Sequence, residues 1–409
     1  MTVVFDRPYQ FVPPHRGSIW PFFIQKLRLV DWYLKRKEGV VSWECRGLDH
    51  LKESLNRGDG ILLAPNHCRY ADPLVLGWPA RLLNTNVYAM ASWHLFNKGR
   101  FDEFAIQKMG GFSIHREAAD RQALDTAITI LETAERPLVL FPEGTTNRSN
   151  DVLKPLLDGV SFIARTAARR RRKKLNGNVV IHPIAIKYLC SEDVCRWTRQ
   201  RLLAMEQGFG WQTPPDLSIV QRTRRLVKGA FVLREVQYLG ETGSGTMTQR
   251  RDVLVASILQ RIESKLGMDP GKENVRERVR SIRTEISRQF FRHDVDVDPE
   301  SEMHFRQDVI AVDMVQEMIS YPESYLDVDQ VTDTRIVETI QRIQESVLGK
   351  ADCGVPLRAV IQIGEAVNVP TEKARRGEVD PLMEELKKQL EVMLEKLSRE
   401  ARPVADSRC

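Results

Sequence analysis

The sequence lacks the features that mark membrane-spanning and secreted proteins. In its 409 residues, no run approaches the roughly 18 consecutive apolar residues that a transmembrane helix needs. No segment typical of a secretory signal opens it, so we expect neither export nor a membrane span. The six cysteines include no CxxC pair and no regular framework, which favours reduced, cytosolic thiols. These absences predict a protein that is soluble or peripheral at a membrane.

The charge is unevenly distributed along the chain. Residues 1–200 contain 30 Lys and Arg against 20 Asp and Glu, whereas the net charge of the whole chain is only +6. A basic half predicts an anionic partner, which is a lipid headgroup, a phosphorylated metabolite or nucleic acid. With 42% hydrophobic residues, the chain is able to bury a large core and to carry a second lobe.

Residues 18–37 have the pattern of an amphipathic helix. Apolar side chains recur there at close to helical spacing, among them Trp20, Phe23, Leu27 and Leu34, and basic side chains accompany them. A basic, aromatic-rich helix of this kind is able to lie in a membrane interface. The alternative is a helix that covers the core. The pattern leaves both interpretations open.

Short apolar stretches alternate with helical ones over residues 40–200, which indicates an α/β sheet. The strands are predicted at 40–46, 60–64, 87–92, 111–116, 136–144 and 178–189, and the helices at 47–58, 73–83, 118–135 and 153–174.

After residue 200 the pattern becomes helical, with stretches at 247–267, 272–291, 303–320 and 330–348. One more strand is predicted at 354–369, followed by a helix capped by Asp380. The sequence therefore divides into an N-terminal helical segment (1–39), a core (40–200), a helical insertion or lobe (201–350), and a closing strand with a C-terminal helix (351–400).

The stretch PNHCRYADP (65–73) is the first candidate for chemistry. Its His67 and Asp72 do not share a helix face, because five residues rotate an ideal helix by about 500°. The spacing fits a strand that ends near Ala64, a turn that carries Asn66 and His67, and a helix that starts at Asp72. We expect Asp72 to be the N-cap of this helix and Pro73 to be at its first helical position. In that geometry the carboxylate folds back onto the imidazole, as a base and its orienting group.

Three later stretches contribute further candidates, and two of them end strands in polar residues. GGFSIHRE places Arg116 where a guanidinium is able to face a phosphate, and FPEGTTNRSND places Glu143, Gly144 and Thr145 at a turn suited to an anion and a hydroxyl. IHPIAIKY (181–188) is typical of an apolar wall. Taken singly, these stretches are equally typical of a surface salt bridge, an ordinary turn and a core strand.

Together, in this order, the four stretches resemble the motif blocks of the glycerolipid acyltransferases, the family of lysophosphatidate and glycerol-3-phosphate acyltransferases. The resemblance covers roughly residues 40–190 and implies a mixed, mostly parallel sheet flanked by helices. Two positions depart from the family pattern. Thr146 stands where the third block usually has Arg, with Arg148 as a possible substitute, and Ala185 stands where the fourth block usually has a second proline.

The resemblance implies an O-acyltransferase of phospholipid biosynthesis or remodelling. His67 would take the proton of an acceptor hydroxyl, Asp72 would stabilise the imidazolium, and backbone N–H groups near the turn would stabilise the oxyanion. Arg116, Glu143, Gly144 and Thr145 would hold the acceptor, a lysophospholipid or glycerol phosphate. The donor would be an acyl thioester, acyl-CoA or acyl-carrier protein, with no cofactor and no metal.

The expected location is cytoplasmic, peripheral at the inner face of the cell membrane, on an anionic membrane surface. Two alternatives remain open. Thr146 favours an acceptor other than lysophosphatidate, such as a lyso-ornithine lipid or a sugar lipid, and a non-catalytic membrane-binding relative would act through its helical lobe.

Three further features are given minor roles. Cys68 is adjacent to His67, but neighbouring side chains diverge, so a nucleophilic Cys68 is disfavoured. The basic run 164–174 fits either anionic lipid or coenzyme A phosphates, or the C-terminus of a helix, where cations are favoured without any ligand. Nucleic acid is not expected, because no aromatic residues are interleaved with that run. The acidic stretch 293–304 lacks the Gly and Glu of a calcium loop.

Overall fold

A computed structural model describes residues 8–97, 99–116, 120–146, 148–213, 215–269, 274–292, 299–372 and 379–404. Within these residues eight strands form one sheet. They are β1 (Val40–Arg46), β2 (Gly60–Pro65), β3 (Tyr88–Ser92), β4 (Gly111–Ile114), β5 (Leu138–Val139), β6 (Val179–Cys190), β7 (Leu357–Ile363) and β8 (Val367–Asn368). The strand predicted at 136–144 is reduced to two residues, and the one predicted at 354–369 is divided into β7 and β8.

The strand order across the sheet is β1-β7-β6-β2-β5-β3-β4, and β8 pairs with β6. β6, β2, β5, β3 and β4 are parallel to one another. β7 is antiparallel to β6 and parallel to β1, so these two strands run the opposite way. This mixed, mostly parallel sheet confirms the predicted α/β fold.

Fifteen helices are present in the described part of the chain. They are α1 (Ile19–Lys26), α2 (Leu29–Lys37), α3 (Leu48–Arg57), α4 (Asp72–Val75), α5 (Gly77–Leu82), α6 (Arg100–Lys108), α7 (Arg121–Thr133), α8 (Gly159–Leu175), α9 (Cys195–Gly208), α10 (Ile219–Leu239), α11 (Met247–Lys265), α12 (Val275–Arg292), α13 (Pro299–Ser320), α14 (Asp333–Leu348) and α15 (Pro381–Ser398). Short 3₁₀ turns lie at Trp93–Leu95 and Glu323–Tyr325. The sequence patterns predict neither α6 nor α9 and α10.

Helices cover both faces of the sheet, which explains the continuous apolar run of β2. All six residues of β2 are buried. Ile61 and Leu63 pack into one core with side chains of α2 to α5, and Leu62 and Ala64 pack into the other with side chains of α7, α8 and α15. Because both faces are buried, the strand shows no alternation of polar and apolar residues.

The strand directions bring the predicted motif stretches to one edge of the sheet, the edge at which the carboxyl ends of β2, β4 and β5 lie. β2, β4 and β5 are parallel, so the segments that follow them emerge at the same edge. β7 and β1 run the other way, and they begin at that edge. This edge therefore collects the residues after β2, β4 and β5 together with the C-terminal half of β6.

The N-terminal segment is two helices, and the prediction of one continuous helix over 18–37 is wrong. α1 ends at Lys26 and α2 begins at Leu29. Between them Arg28 has a φ of 51°, a left-handed conformation that a helix does not contain. The break allows Leu34 of α2 to be fully buried while most of the apolar side chains of α1 are exposed.

The helical region after residue 200 contains two separate cores. Side chains of α9, α10 and α14, such as Leu202, Leu226 and Ile340, form one of them. α11, α12 and α13 form the other, around Ile258, Ile282 and Val312. α14 also contributes Val337 to the sheet core, so this helix packs directly on the sheet.

None of the helices in these residue ranges has both the length and the hydropathy of a bilayer span. Four cysteines, at positions 45, 68, 190 and 353, are free thiols.

Candidate active site

The turn after β2 is held to β6 by Asn66. Its side-chain amide donates to the carbonyl of Ile186 over 3.0 Å, and its Oδ1 accepts the N–H of Ile186 over 2.6 Å. Asn66 is only 3% exposed, so these bonds satisfy a buried polar group that would otherwise destabilise the fold. The turn that presents His67 is therefore fixed against the sheet.

His67 and Asp72 form a hydrogen-bonded pair at this turn. His67 Nδ1 lies 2.9 Å from Asp72 Oδ2, and that oxygen also accepts the backbone N–H groups of Cys68 and Arg69 at 2.7 and 2.8 Å. A carboxylate accepts hydrogen bonds, so Nδ1 is the protonated nitrogen of the neutral ring. Nε2 is left as the basic nitrogen.

The prediction that Asp72 caps the following helix is wrong. Asp72 is the first residue of α4, Ala71 occupies the cap position, and no side chain caps this helix. The Asp72 carboxylate turns back over the preceding turn, where it meets two N–H groups and the imidazole. The same carboxylate that shapes the turn thus orients the histidine.

The surroundings of His67 favour its neutral form. Its ring stacks on Phe141 with 4.0 Å between centroids, and its side chain is 12% exposed. Burial lowers the pKa of His67, and the Asp72 carboxylate opposes that shift. The cations of Lys154 and Arg116 lower the pKa further. A neutral imidazole near pH 7 is what a general base requires.

Glu143 connects the His67 turn to the segment before α8. Its Oε1 accepts the His67 backbone N–H over 2.6 Å, and its Oε2 accepts the Lys154 backbone N–H over 3.0 Å. Burial raises the pKa of the Glu143 carboxyl, and Lys154 opposes that rise. Both carboxylate oxygens already accept hydrogen bonds from the chain itself, so in this structure Glu143 positions the turn.

The other predicted residues also lie around this turn. Arg116 is exposed and donates a hydrogen bond to the Gly144 carbonyl. Gly144 has a φ of 74°, and a Cβ there would lie 2.6 Å from a methyl group of Leu157, so the position requires glycine. The Thr145 carbonyl and hydroxyl both accept from the Lys154 ammonium. The structure thus brings together all six residues singled out from the sequence.

Lys154 is a site residue that the sequence reasoning missed. The helix predicted to start at 153 begins only at Gly159, because Pro155 disfavours a helical conformation at the residue before it. Lys154 is 5% exposed, and its Nζ lies 4.0 Å from Glu143 Oε2. Burial lowers the pKa of this ammonium, and the Glu143 carboxylate opposes that shift. The sequence signal that could have identified Lys154 is a charged residue placed between the apolar Leu153 and Pro155.

Arg276 of α12 is a second missed residue. Its Nη1 donates to the carbonyl of Pro155 over 3.1 Å, which places the guanidinium beside Lys154. Burial lowers the pKa of Arg276, and Glu143 is the charged group that opposes that shift. Sequence periodicity could not reveal this contact, since more than a hundred residues separate the two segments.

Arg148 does not stand free to replace the arginine missing from the third block. It is 8% exposed, and its guanidinium donates two hydrogen bonds of 2.6 Å to Glu345 of α14. Its backbone N–H donates to the Cys68 carbonyl over 2.8 Å. Arg148 therefore links the His67 turn to the helical region.

Two minor candidates are settled by their surroundings. Burial and the nearby Asp72 raise the pKa of the Cys68 thiol well above its usual range, which disfavours a thiolate nucleophile.

Several cations of the 164–174 run are bound within the fold: Arg165 pairs with Asp380, and Arg171 donates to three carbonyls. The run ends α8 at the sheet edge opposite His67, where β6 begins. Residues 293–298 of the acidic stretch lie outside the described residues, and residues 299–304 are in α13.

No group of three or more potential metal-ligating side chains comes together in the residue ranges that the structure describes.

Comparisons with known proteins agree with this geometry. Residues 45–187 match the family model described as Acyltransferase. The chain is also 27% identical over 146 residues to the 1-acyl-sn-glycerol-3-phosphate acyltransferase of Streptococcus pneumoniae (strain ATCC BAA-255 / R6). That match spans 35% of this chain and 52% of the relative, so the chain covers about half the length of the curated relative. The matched region contains both His67 and Asp72, and over that region the chain is similar to the acyltransferases.

Proposed function

We propose that this protein is a glycerolipid acyltransferase that transfers an acyl group from an acyl thioester to the hydroxyl of a lysophospholipid or glycerol phosphate. The observation that carries the proposal is the buried His67–Asp72 pair, whose Nε2 is left as the base at an edge of the sheet. The Streptococcus pneumoniae relative is named for 1-acyl-sn-glycerol-3-phosphate, an acceptor of this chemical class.

In the proposed reaction His67 Nε2 takes the acceptor hydroxyl proton as the oxygen attacks the thioester carbonyl carbon. The imidazolium that forms is stabilised by Asp72, and general-base help of this kind is typically worth about 10²- to 10⁴-fold. The tetrahedral intermediate then expels the thiolate, which takes the proton from the imidazolium. The products are the acylated lipid and a free thiol.

The turn itself offers fewer oxyanion donors than the sequence suggested. The backbone N–H groups of His67, Cys68 and Arg69 all donate to carboxylates. The expectation that backbone N–H groups of the turn hold the oxyanion is therefore not met at these three residues. In the proposed mechanism the nearby cations Arg116 and Lys154 supply the positive potential for the developing charge instead.

The cations at this sheet edge support an acceptor that carries a phosphate. Arg116 follows β4, Lys154 precedes α8, and Arg276 comes from α12, so three separate segments contribute positive charge beside one another. Planar guanidinium groups are suited to phosphate oxygens. With Arg148 bound to Glu345, we assign the acceptor phosphate to Arg116 and the outer face of the headgroup to Arg276.

A surface formed by α1, α2 and α6 supports the proposed location at the inner face of the cell membrane. We call it the aromatic–basic surface. Trp20 of α1 packs edge-on against Phe104 of α6 with 5.1 Å between centroids, so the helices present one continuous patch. Ile19 and Phe101 are each 79% exposed. Other exposed apolar side chains there are Phe22, Phe23, Leu27, Leu29, Trp32 and Tyr33. The exposed basic ones are Lys26, Arg28, Lys35, Arg36, Lys37 and Arg100, and Lys108 is half-buried beside them.

Exposed aromatics among basic residues complement an anionic bilayer, whose headgroup region accepts aromatic rings and attracts cations. Placement on that bilayer would bring lipid acceptors to the protein directly. No cofactor is required by the proposed chemistry, since the donor is a substrate.

The test is acyl transfer by the purified full chain. Labelled acyl-CoA and acyl-carrier protein should each be offered with lysophosphatidate, glycerol 3-phosphate, a lyso-ornithine lipid and monoacylglycerol. We expect transfer to a phosphate-bearing acceptor, and His67→Ala should abolish it while circular dichroism shows an unchanged fold. Absence of transfer from either donor to any acceptor would refute the proposed activity.

A further inference from the structure

Tyr188 makes a direct contact with the pair described above. It lies near the end of β6, is fully buried, and donates its hydroxyl to Asp72 Oδ1 over 2.8 Å. The other carboxylate oxygen, Oδ2, accepts the imidazole Nδ1–H and two backbone N–H groups. At Oδ1 the further neighbour is the Cys68 thiol, with its sulfur 3.7 Å away. The phenol is therefore the strong donor on that oxygen.

The position of the Tyr188 ring is closely determined. Its backbone N–H donates to Asn150 Oδ1 over 3.2 Å, and its Cα pairs with Ala359 of β7. The guanidinium of Arg69 lies 5.2 Å from the ring centroid, within the range of a cation–π contact. Arg69 is 1% exposed and its side-chain nitrogens have no hydrogen-bond partner within the described residues. The Tyr188 ring is thus the contact that accommodates this buried cation.

Resting on the proposed function, we propose that Tyr188 is a positioning residue, whose hydroxyl fixes the Asp72 carboxylate and thereby sets the orientation and the basicity of His67. The phenol does not touch the reacting atoms in this scheme. It acts through Asp72, as Asp72 acts through the imidazole. The buried guanidinium of Arg69 over the ring withdraws electron density and strengthens the phenol as a donor.

The proposal has a definite sign. A donor on Oδ1 draws negative charge away from the oxygen that faces the imidazole. When the hydroxyl is removed, Asp72 attracts the imidazolium more strongly, and the pKa of His67 should rise. Replacement of Asp72 by Asn removes the negative charge itself, and the pKa of His67 should fall. If the pKa of His67 shifts in opposite directions when the Tyr188 hydroxyl is removed and when Asp72 is replaced by Asn, the effect is electrostatic and not a general loss of packing.

Other charged and titratable groups also face the pair. They are Glu38 after α2, Cys68 and Arg69 in the turn, Arg116 after β4, Glu143 and Lys154 between β5 and α8, and Glu338 of α14. Removal of the Tyr188 hydroxyl changes none of these side chains. A shift in Tyr188→Phe therefore reports the lost phenol.

The experiment is a titration of the His67 ring by NMR in protein labelled with ¹³C-histidine, with the signal assigned from its absence in His67→Ala. In Tyr188→Phe we expect the His67 midpoint to rise by about half a pH unit or more. We expect kcat to fall about ten-fold, the scale of one charge-assisted hydrogen bond. The matched control is Tyr88→Phe, because Tyr88 is also fully buried and donates to a carboxylate, Glu135, over 2.6 Å, but begins β3 at the opposite sheet edge. It should leave the midpoint unchanged.

Incorporation of 3-fluorotyrosine at position 188 keeps the ring and strengthens the hydroxyl as a donor, so the midpoint should fall. This second variant covers the case in which Tyr188→Phe does not fold. An unchanged His67 midpoint in a folded Tyr188→Phe or fluorotyrosine protein would overturn the proposal. The NMR readout does not depend on turnover. If the wild-type protein transferred no acyl group while the midpoint still moved as expected, the proposed function would fail and the positioning role would stand.

Discussion

The ion pair between Arg148 and Glu345 allows a direct choice between two roles for Arg148. In the sequence, Arg148 is the candidate substitute for the arginine missing at Thr146, which would bind the acceptor phosphate. In the structure, both of its bonds to Glu345 are 2.6 Å, and the two side chains are 8% and 28% exposed. We expect Arg148→Ala and Glu345→Ala to act alike on catalysis, because each removes the same link between the His67 turn and α14.

The stability effects should differ in size. Breaking a fully buried pair typically costs about 3–5 kcal/mol, and an exposed pair contributes about 0–1 kcal/mol. Since Glu345 is partly open to water, we expect Arg148→Ala to lower the free energy of unfolding by about 2 kcal/mol. Glu345→Ala should cost about 3 kcal/mol, because it leaves the guanidinium buried without a partner. A double-mutant cycle in urea should give a coupling of about 1–2 kcal/mol.

The deciding assay compares kcat/KM for lysophosphatidate with kcat/KM for monoacylglycerol, which has no phosphate. A link between the turn and α14 predicts that both variants lower kcat for both acceptors and leave their ratio unchanged. Loss of a phosphate contact would reduce the ratio about 10- to 100-fold in Arg148→Ala alone. That result would refute our reasoning. Arg165→Ala is the control, since Arg165 is about as buried as Arg148 but its pair with Asp380 joins α8 to the start of α15 and does not involve the His67 turn.

Three further predictions follow from the site and the aromatic–basic surface. Since burial lowers the pKa of His67, the acidic limb of the pH profile of kcat/KM should lie below pH 6.5. This limb should move to lower pH in Asp72→Asn and should persist in Glu143→Gln. If Glu143→Gln abolished the limb, the titrating group would be Glu143 and not His67. Arg116→Lys and Arg276→Gln should each raise the KM for lysophosphatidate about ten-fold with the donor KM unchanged, and an unaltered acceptor KM would count against a phosphate at these residues. Combined Phe22→Ser, Trp32→Ser and Phe101→Ser changes should release the protein from anionic vesicles in a sedimentation assay. The control Val253→Ser, on α11 and as exposed as Phe22, should not release it. Full retention of the triple variant would show that this surface does not bind the membrane.

Local signals were sufficient for much of the fold. The run GILLAP is apolar on both faces because β2 is buried on both, and the structure has a strand there. Asp380 caps α15 by accepting the N–H of Leu382 over 3.0 Å, as the Asp-Pro pair predicts. These features depend on neighbouring residues, so a sequence pattern is able to reveal them.

Other features depend on contacts that the sequence does not display. α6 has only nine residues and buries none of them, so it has no core-facing stripe and its aromatic side chains are exposed. The break at Arg28 serves the packing of Leu34, and periodicity alone favours a continuous helix. Asp72 is a further example of a contact that the sequence does not display. An aspartate followed by Pro73 favours a helix cap, but the buried carboxylate accepts instead from three N–H donors of the preceding turn.

The contacts of α14 show why the helical region cannot be treated as an appendage of the matched domain. Asn150 donates its side-chain amide to Glu338, and Arg335 donates to Asp151 over 2.5 Å. Asn150 is fully buried, and the side chain of Asp151 is 3% exposed. Without α14, Asn150 would lose this acceptor and Asp151 one of its cationic partners, at a cost of about 1–3 kcal/mol for each group left unsatisfied.

The Glu338 carboxylate is equally dependent on the core. It accepts from the Tyr325 hydroxyl as well as from Asn150, and it is 1% exposed. Each partner thus satisfies buried polar groups of the other, so we expect the shape of the third motif block to depend on the docking of α14. Residues 45–187 carry the family match, but the polar core beneath the His67 turn extends into a helix that begins at Asp333.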